Sequence, residues 1–200
     1  VVAGKRMFVG PSFGKRFYCI DIDYGKILWD IQTTDYISTT AAVAYEKVMF
    51  GCRKIFACLN SLTGEVAWSY DFQAEINTSP LIFEDKVVFG CNDKSVYCYN
   101  IVTGKQVWKA RISSNTESSP AVGNGKVYIG TQDGTFYAFS QETGKQAWSY
   151  KISKEIVSSP AYSDGKVYYG GKDNKLYCLD NTNGKIVWTK ETKAPILSSP

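Results

Sequence analysis

The sequence predicts an all-β fold, a β-propeller of four-stranded antiparallel blades. Three observations predict it. Five tryptophans, Trp29, Trp68, Trp108, Trp148 and Trp188, stand 39, 40, 40 and 40 residues apart, and self-similarity at one period near 40 marks a repeat architecture. Within each period the apolar stretches are short, β-branched or aromatic, and bounded by Gly, Asn or Asp, as strands between tight turns are. No stretch has helical spacing long enough to compete.

The elements of one unit follow in order. Ala121-Val122 after Ser118-Ser119-Pro120 is the first strand, and Gly123-Asn124-Gly125-Lys126 turns it into Val127-Tyr128-Ile129-Gly130. Asp133-Gly134 is expected to make a two-residue hairpin turn, because Gly accepts the positive φ needed there. Thr135 to Phe139 is the third strand. Glu142-Thr143-Gly144-Lys145 leads into the fourth, Gln146 to Tyr150. Aligning Gly10, Gly51, Gly90, Gly130 and Gly170 divides the chain into units 1–41, 42–80, 81–120, 121–160 and 161–200. The first unit has one residue more and the second one fewer. Both changes fall in the turn between second and third strands, long from Pro11 to Arg16 and short at Arg53-Lys54. Turns absorb length changes that strands do not.

Composition bounds function. With 200 residues, 44% of them hydrophobic, the chain can bury a sizeable core. A net charge of +4 is too small to argue for nucleic acid, and no nucleic-acid partner is expected. No run approaches the ~18 apolar residues of a membrane span. The chain opens on Val1, which reads as a processed chain or a piece of a longer one. Histidine is absent, so His general bases, Ser-His or Cys-His pairs and His-ligated zinc are excluded.

The segment Ala138 to Trp148 resembles the docking motif of the pyrroloquinoline quinone (PQQ) repeat, with Ala first, Gly seventh and Trp eleventh. The other units keep Gly and Trp in register at Gly25/Trp29, Gly64/Trp68, Gly104/Trp108 and Gly184/Trp188, with Cys19, Cys58, Cys98 and Cys178 at the first position. The likeness covers the whole chain and points to the superfamily of quinoprotein dehydrogenases and BamB-type outer-membrane assembly lipoproteins. It implies that each Trp lies against the neighbouring blade over the Gly (Gly25, Gly64, Gly104, Gly144 or Gly184), where a larger residue could not fit, with its indole N–H on a turn carbonyl. The competing reading, a ligand groove lined by tryptophans, does not explain one register in every blade.

Six cysteines read as reduced thiols packed as small apolar groups, Cys52 and Cys91 among them, because equivalent positions of neighbouring blades lie too far apart for a disulfide. Free thiols suit a reducing compartment. The resemblance leans the other way, to the cell envelope, periplasm or cell surface. PQQ dehydrogenases carry an adjacent Cys-Cys pair over the cofactor, a calcium ion and an Asp base. This chain has no Cys-Cys dipeptide, and its acids are scattered over Asp35, Glu75, Glu117 and Glu155 in connections and Asp93, Asp133 and Asp173 in turns. Those acids could converge on one channel mouth. No cofactor and no catalytic residue is expected; PQQ with calcium belongs only to the dehydrogenase reading.

One further pattern bears on binding. Arg6, Lys47, Lys86, Lys126 and Lys166 precede the second strands, and Lys26, Lys105, Lys145 and Lys185 follow the docking Gly. Both turn types fall on one propeller face, which offers an anionic envelope component or an acidic protein a docking surface. Turn lysines that keep hairpins soluble are the competing explanation. The five units are expected to form an arc of a seven- or eight-bladed ring, as in the resembling family; the alternative is that Ile196 to Pro200 completes the first blade and closes five. The expected function is a non-catalytic scaffold for protein binding or assembly. The alternatives are an arc of a PQQ-dependent dehydrogenase with its site in other blades, and an extracytoplasmic sensor domain of a larger protein.

Overall fold

The computed structural model describes residues 1–11 and 14–200, and shows five separate four-stranded antiparallel sheets and no helix among them. Blade 1 is β1 (Val2–Ala3), β2 (Arg6–Val9), β3 (Arg16–Asp21) and β4 (Ile27–Gln32). Blade 2 is β5 (Ala42–Ala44), β6 (Lys47–Cys52), β7 (Ile55–Asn60) and β8 (Val66–Asp71). Blade 3 is β9 (Leu81–Phe83), β10 (Lys86–Cys91), β11 (Ser95–Asn100) and β12 (Gln106–Arg111). Blade 4 is β13 (Ala121–Gly123), β14 (Lys126–Gly130), β15 (Thr135–Ser140) and β16 (Gln146–Lys151). Blade 5 is β17 (Ala161–Ser163), β18 (Lys166–Gly171), β19 (Lys175–Asp180) and β20 (Ile186–Glu191). Each sheet is a meander in chain order, and the short first strands of blades 2 to 5 lie nearest one another along the inner wall.

The turns follow backbone chemistry. Asn124-Gly125 and Asp164-Gly165 join first and second strands as two-residue hairpins with positive φ at both positions, which Asn, Asp and Gly tolerate best. The turn expected to have two residues at Asp133-Gly134 has three. Thr131 N donates to Thr135 O at 3.0 Å, enclosing Gln132, Asp133 and Gly134, and Gly134 takes φ +85° as the third residue. A tight turn followed by one left-handed residue is the usual three-residue closure. Lys94 and Asn174 occupy that place in blades 3 and 5 at φ 62° and 65°. Blade 2, with only Arg53-Lys54, closes in two residues. The long turn expected from Pro11 to Arg16 includes Ser12 and Phe13, which lie outside the described residues.

The core lies between blades. Second and third strands are nearly all buried, whereas fourth strands face out. A residue of the third strand stacks on one of the next blade's second strand: Phe17 on Phe50 at 4.1 Å, Phe56 on Phe89 at 3.9 Å and Phe136 on Tyr169 at 4.0 Å. Val96 and Ile129 share the equivalent core between blades 3 and 4.

Four tryptophans reach across a junction. Trp29, Trp68, Trp108 and Trp148 donate Nε1–H to the carbonyls of Ser61, Ile101, Gln141 and Asn181 in the next blade, at 3.2, 2.9, 3.0 and 2.8 Å. A Cβ built on Gly64, Gly104, Gly144 or Gly184 would fall 2.5–2.8 Å from the indole of the preceding blade. On its own blade each Trp stands opposite Cys19, Cys58, Cys98, Ala138 or Cys178. At that pair the third-to-fourth strand register shifts, a bulge that turns the outer strand.

A second set of contacts runs along the inner wall. The backbone N–H groups of Thr40, Ser79, Ser119 and Ser159 donate to the hydroxyls of Ser79, Ser119, Ser159 and Ser199, each one unit further on, at 2.9–3.0 Å. Thr39, Thr78, Ser118 and Ser158 accept from the N–H of Gly51, Gly90, Gly130 and Gly170.

The five blades form an open arc. Ile196 to Pro200 do not complete blade 1, whose β1 pairs only with β2. They stay with blade 5, where Ile196 N donates to Gly171 O and Ser199 accepts from Ser159. The contacts made by the earlier connections recur here, so the last segment follows the same path.

All six cysteines are free and buried. Burial pushes the thiols of Cys58, Cys91 and Cys98 up to about 12 from an ordinary value of 9.0. A thiol whose pKa is raised by folding stabilises the protein fully below its unfolded value, and that contribution is lost as pH rises towards the folded one. The melting temperature is therefore expected to fall steadily between pH 9 and 11, and a flat profile would contradict burial of the reduced thiols. The junction geometry makes a second prediction. Gly144→Leu places a side chain against Trp108 at φ +68° and should cost more than about 3 kcal/mol, whereas Lys145→Ala on the exposed turn should stay within about 0.5 kcal/mol. Urea unfolding of the two variants checks this; equal midpoints would count against the junction.

Candidate functional site

The two faces of the arc and its two ends carry side chains beyond the repeat's own packing. On one face the second-to-third strand turns meet the connections between blades. Arg53 donates to Asp35 at 2.9 Å and Glu75 at 3.0 Å, so one guanidinium ties two successive connections. The hydrogen bond from Arg53 holds the Asp35 carboxyl below its ordinary range, helped by the N–H of Tyr36. Lys172 pairs with Glu155, and Gln132 donates to Glu117 at 2.8 Å. Asp93 and Asp173 accept from the hydroxyls of Tyr97 and Tyr177. Burial alone would raise Asp133, but hydrogen bonds from Thr131, Ser113, Lys151 and Thr135 outweigh it and hold the carboxyl far below its ordinary range.

The acids expected to converge on the channel mouth therefore do not meet as free carboxylates. Asp35, Glu75, Glu117 and Glu155 in the connections pair with Arg53, Gln132 and Lys172 of the adjoining turns, and the turn residues Asp93, Asp133 and Asp173 are held by side chains around their own hairpins. The central space of about 510 Å³ is lined by Ser38, Asn77, Glu117, Val157 and Leu197, one residue from each unit, with Lys172 beside them. A calcium ion asks for six to eight converging oxygens. Among the described residues no three of Asp, Glu, Cys or His come together to hold a metal, and the single carboxylate at the central space is not a calcium cage. The described residues at this space supply one carboxylate and do not by themselves hold a calcium ion.

The opposite face carries the nine basic residues. Arg6, Lys47, Lys86, Lys126 and Lys166 are half-buried, and Lys26, Lys105, Lys145 and Lys185 are exposed. The backbone brings the two rows together: Ser61 N donates to Glu46 O and Ile101 N to Asp85 O, joining the two turn types within one blade. The rows are not uniformly free cations. Lys86 pairs with Asp85 at 2.8 Å and Glu84 at 3.1 Å, and these bonds raise its pKa while lowering that of Asp85. Lys126 donates to the Asn181 side chain at 3.2 Å.

The ends differ from the four inner junctions. Trp188 is 40% exposed, against 6% for Trp108 and 8% for Trp148. Tyr168 and Leu176 beside it are only half-buried, where blade 4 fully buries Tyr128 and Phe136. At the other end nothing lies within 4 Å of a Cβ built on Gly25, and Val9 is exposed at the position where later blades bury Phe50, Phe89, Ile129 and Tyr169. Of the five Trp–Gly sets, the structure brings Trp29 to Gly64, Trp68 to Gly104, Trp108 to Gly144 and Trp148 to Gly184, and leaves Trp188 and Gly25 without a counterpart among the described residues. Sequence reasoning missed the serine ladder, although the recurring Ser-Ser-Pro was its visible signal. It also missed Arg53, whose bridging position follows from the shortened turn of blade 2.

Comparison with solved structures gives the same architecture. BamB from Moraxella catarrhalis superposes with a TM-score of 0.84 at 17% identity, over 98% of this chain and 64% of that one. A europium-containing methanol dehydrogenase gives 0.84 at 16%, over 95% of this chain and 50% of that one. The quinohemoprotein alcohol dehydrogenase of Comamonas testosteroni gives 0.80 at 16%, over 96% and 42%. The chain thus spans less than two thirds of the length of each, and at these identities the likeness is one of fold. No curated protein gives a significant match. No helix is long and apolar enough to cross a membrane. With its repeat, its blade geometry and a match over residues 2–200, the chain belongs to the family described as the beta-propeller of the beta-alanine-activating enzyme.

Proposed function

We propose that the chain is a non-catalytic scaffold for protein binding or assembly, the propeller part of a larger protein whose chemistry is carried out elsewhere. The observation that carries this reading is that the chain's regular chemistry, the Trp–Gly bridges and the serine ladder, serves to hold blades together. Trp188 with Tyr168 and Leu176, and the open Gly25 with Val9, repeat the two halves of the internal interface, so a further blade fits at either end. The family description supports it, because the propeller is named there as part of an enzyme, and so does the likeness to BamB. The outer lysine row offers a secondary contact to an acidic protein or another anionic component.

Placement in the cell envelope rests only on the likeness to BamB. Six free, buried cysteines are the observation that favours a reducing compartment instead. The likeness to two dehydrogenases favours a second reading, an arc of a dye-linked oxidising enzyme. Supplying PQQ and calcium to the complete protein and assaying oxidation of alcohols and sugars separates the two. The scaffold reading expects no turnover, and robust turnover would refute it.

Hydrogen exchange tests the end face directly. In the complete protein the amides of β19 and β20 should exchange about as slowly as those of β15 and β16, because a bound unit covers them. Trp188→Ala should release that protection while leaving the inner blades unchanged, whereas Trp108→Ala should cost about 3–5 kcal/mol of stability. Rapid exchange of β20 in the unmodified complete protein would show that neither a further blade nor a partner covers this end.

A further inference from the structure

The junction between blades 1 and 2 is built differently from the other three. Where blades 2 and 3 meet, Phe72 packs edge-on against Tyr97, with ring centroids 4.8 Å apart. At the next two junctions Ile112 shares a core with Tyr137, and Ile152 shares one with Tyr177. In repeat register the same two places between blades 1 and 2 hold Thr33 and Ala57. Both large side chains are missing at once. The result is an open slot of about 170 Å³, walled by Ile31, Phe50, Leu59 and Cys52 with Thr33 and Ala57 at the vacated places.

We propose that this slot binds a single aromatic ring of the phenol class, the size and shape of a tyrosine side chain. Its sister junctions show what fits, since each fills the equivalent space with a Tyr ring from its own third strand. The volume agrees, because an apolar cavity of about 150 Å³ accepts a benzene ring. The walls are mostly apolar: Phe50 and Leu59 form a floor closed to solvent, Ile31, Ile55 and Val66 line the open side, and Gln32, Thr33, Thr34 and Ser69 are the polar residues among them. A polar end of the ring is also provided for. In blades 3 and 5 the Tyr hydroxyl points to the second-to-third strand turn and donates to Asp93 or Asp173. In blade 2 that turn is Arg53-Lys54, and a second recess shares Thr34, Cys52 and Ile55 with the slot and opens past Asp35, Arg53 and Asp71. A ring entering with its hydroxyl towards this turn keeps the hydroxyl in a polar mouth and buries its carbon face.

The site is independent of the scaffold reading. A slot that binds a ring survives if the arc proves catalytic, and a slot that does not leaves the end faces untouched. The test is a titration of the protein with p-cresol, followed by methyl NMR. The expected result is saturable binding with a Kd on the order of 1 mM, as suits a ligand of so few atoms, with shifts concentrated on Ile31, Ala57 and Leu59. Ala57→Tyr restores the ring from within and should weaken p-cresol binding about tenfold or more. Thr33→Ile fills the slot from the opposite wall, should have the same effect, and keeps the test decisive if the first variant misfolds. N-acetyl-tyrosinamide separates the sources: binding comparable to p-cresol assigns the slot to tyrosine on a peptide, and binding by p-cresol alone assigns it to a free phenol. Absence of saturable shifts in the unmodified protein, or equal shifts in both filled variants, would overturn the proposal.

Discussion

The contact between neighbouring blades is the constraint on which the rest of this structure depends. A lone four-stranded meander cannot bury both of its faces, and here each blade hides its second and third strands only by lying against the next. The indole bridges that join them need three things at once: a flat ring on the outer strand, a glycine in the facing turn, and a carbonyl near it that is free to accept. Gly104 shows how narrow the tolerance is. It sits at φ +70° with the Trp68 ring where its Cβ would be, so both its backbone angle and its missing side chain are required. The small residue opposite each Trp, Cys or Ala, leaves room beside the ring on its own sheet.

This dependence explains why the chain is chemically quiet along most of its length. The regular positions are occupied by packing and by hydrogen bonds that repeat from unit to unit, and the acids that could have formed a reactive cluster are each bonded to a nearby side chain. What distinguishes one part of the arc from another is departure from the repeat. Blade 2 concentrates such departures: a shortened turn, an arginine held at φ 50° between two carboxylates, and an alanine where its sisters carry tyrosine. The end blades carry another kind, junction surfaces with no counterpart among the described residues.

The periodic part of this was legible in the sequence. Trp, Gly and the small residue recur in register, and the four strands of each blade follow from that register and the turn residues between them. The open arc was an expectation of the resemblance rather than of the residues, since five similar units could as well have closed on themselves. Other features were hidden for physical reasons. A serine hydroxyl is informative only once its neighbour across the inner wall is known, so Ser79, Ser119, Ser159 and Ser199 stood in the sequence only as residues close to the first strands. The three-residue closure at Asp133 depended on where the ladder of hydrogen bonds stopped, which side-chain alternation does not specify. Ala57 stands in register with Tyr97, Tyr137 and Tyr177, but the meaning of that departure required knowing that those tyrosines point into a junction together with the residue at the Thr33 position.

The serine ladder has a direction. Every amide in it is capped by a hydroxyl that lies about 40 residues further towards the C-terminus, and the indole bridges point the same way. As the chain leaves the ribosome, each blade has therefore been made before the groups that satisfy it exist. Folding during synthesis must run one unit behind translation, with the newest blade always waiting, half-covered, for its successor to emerge.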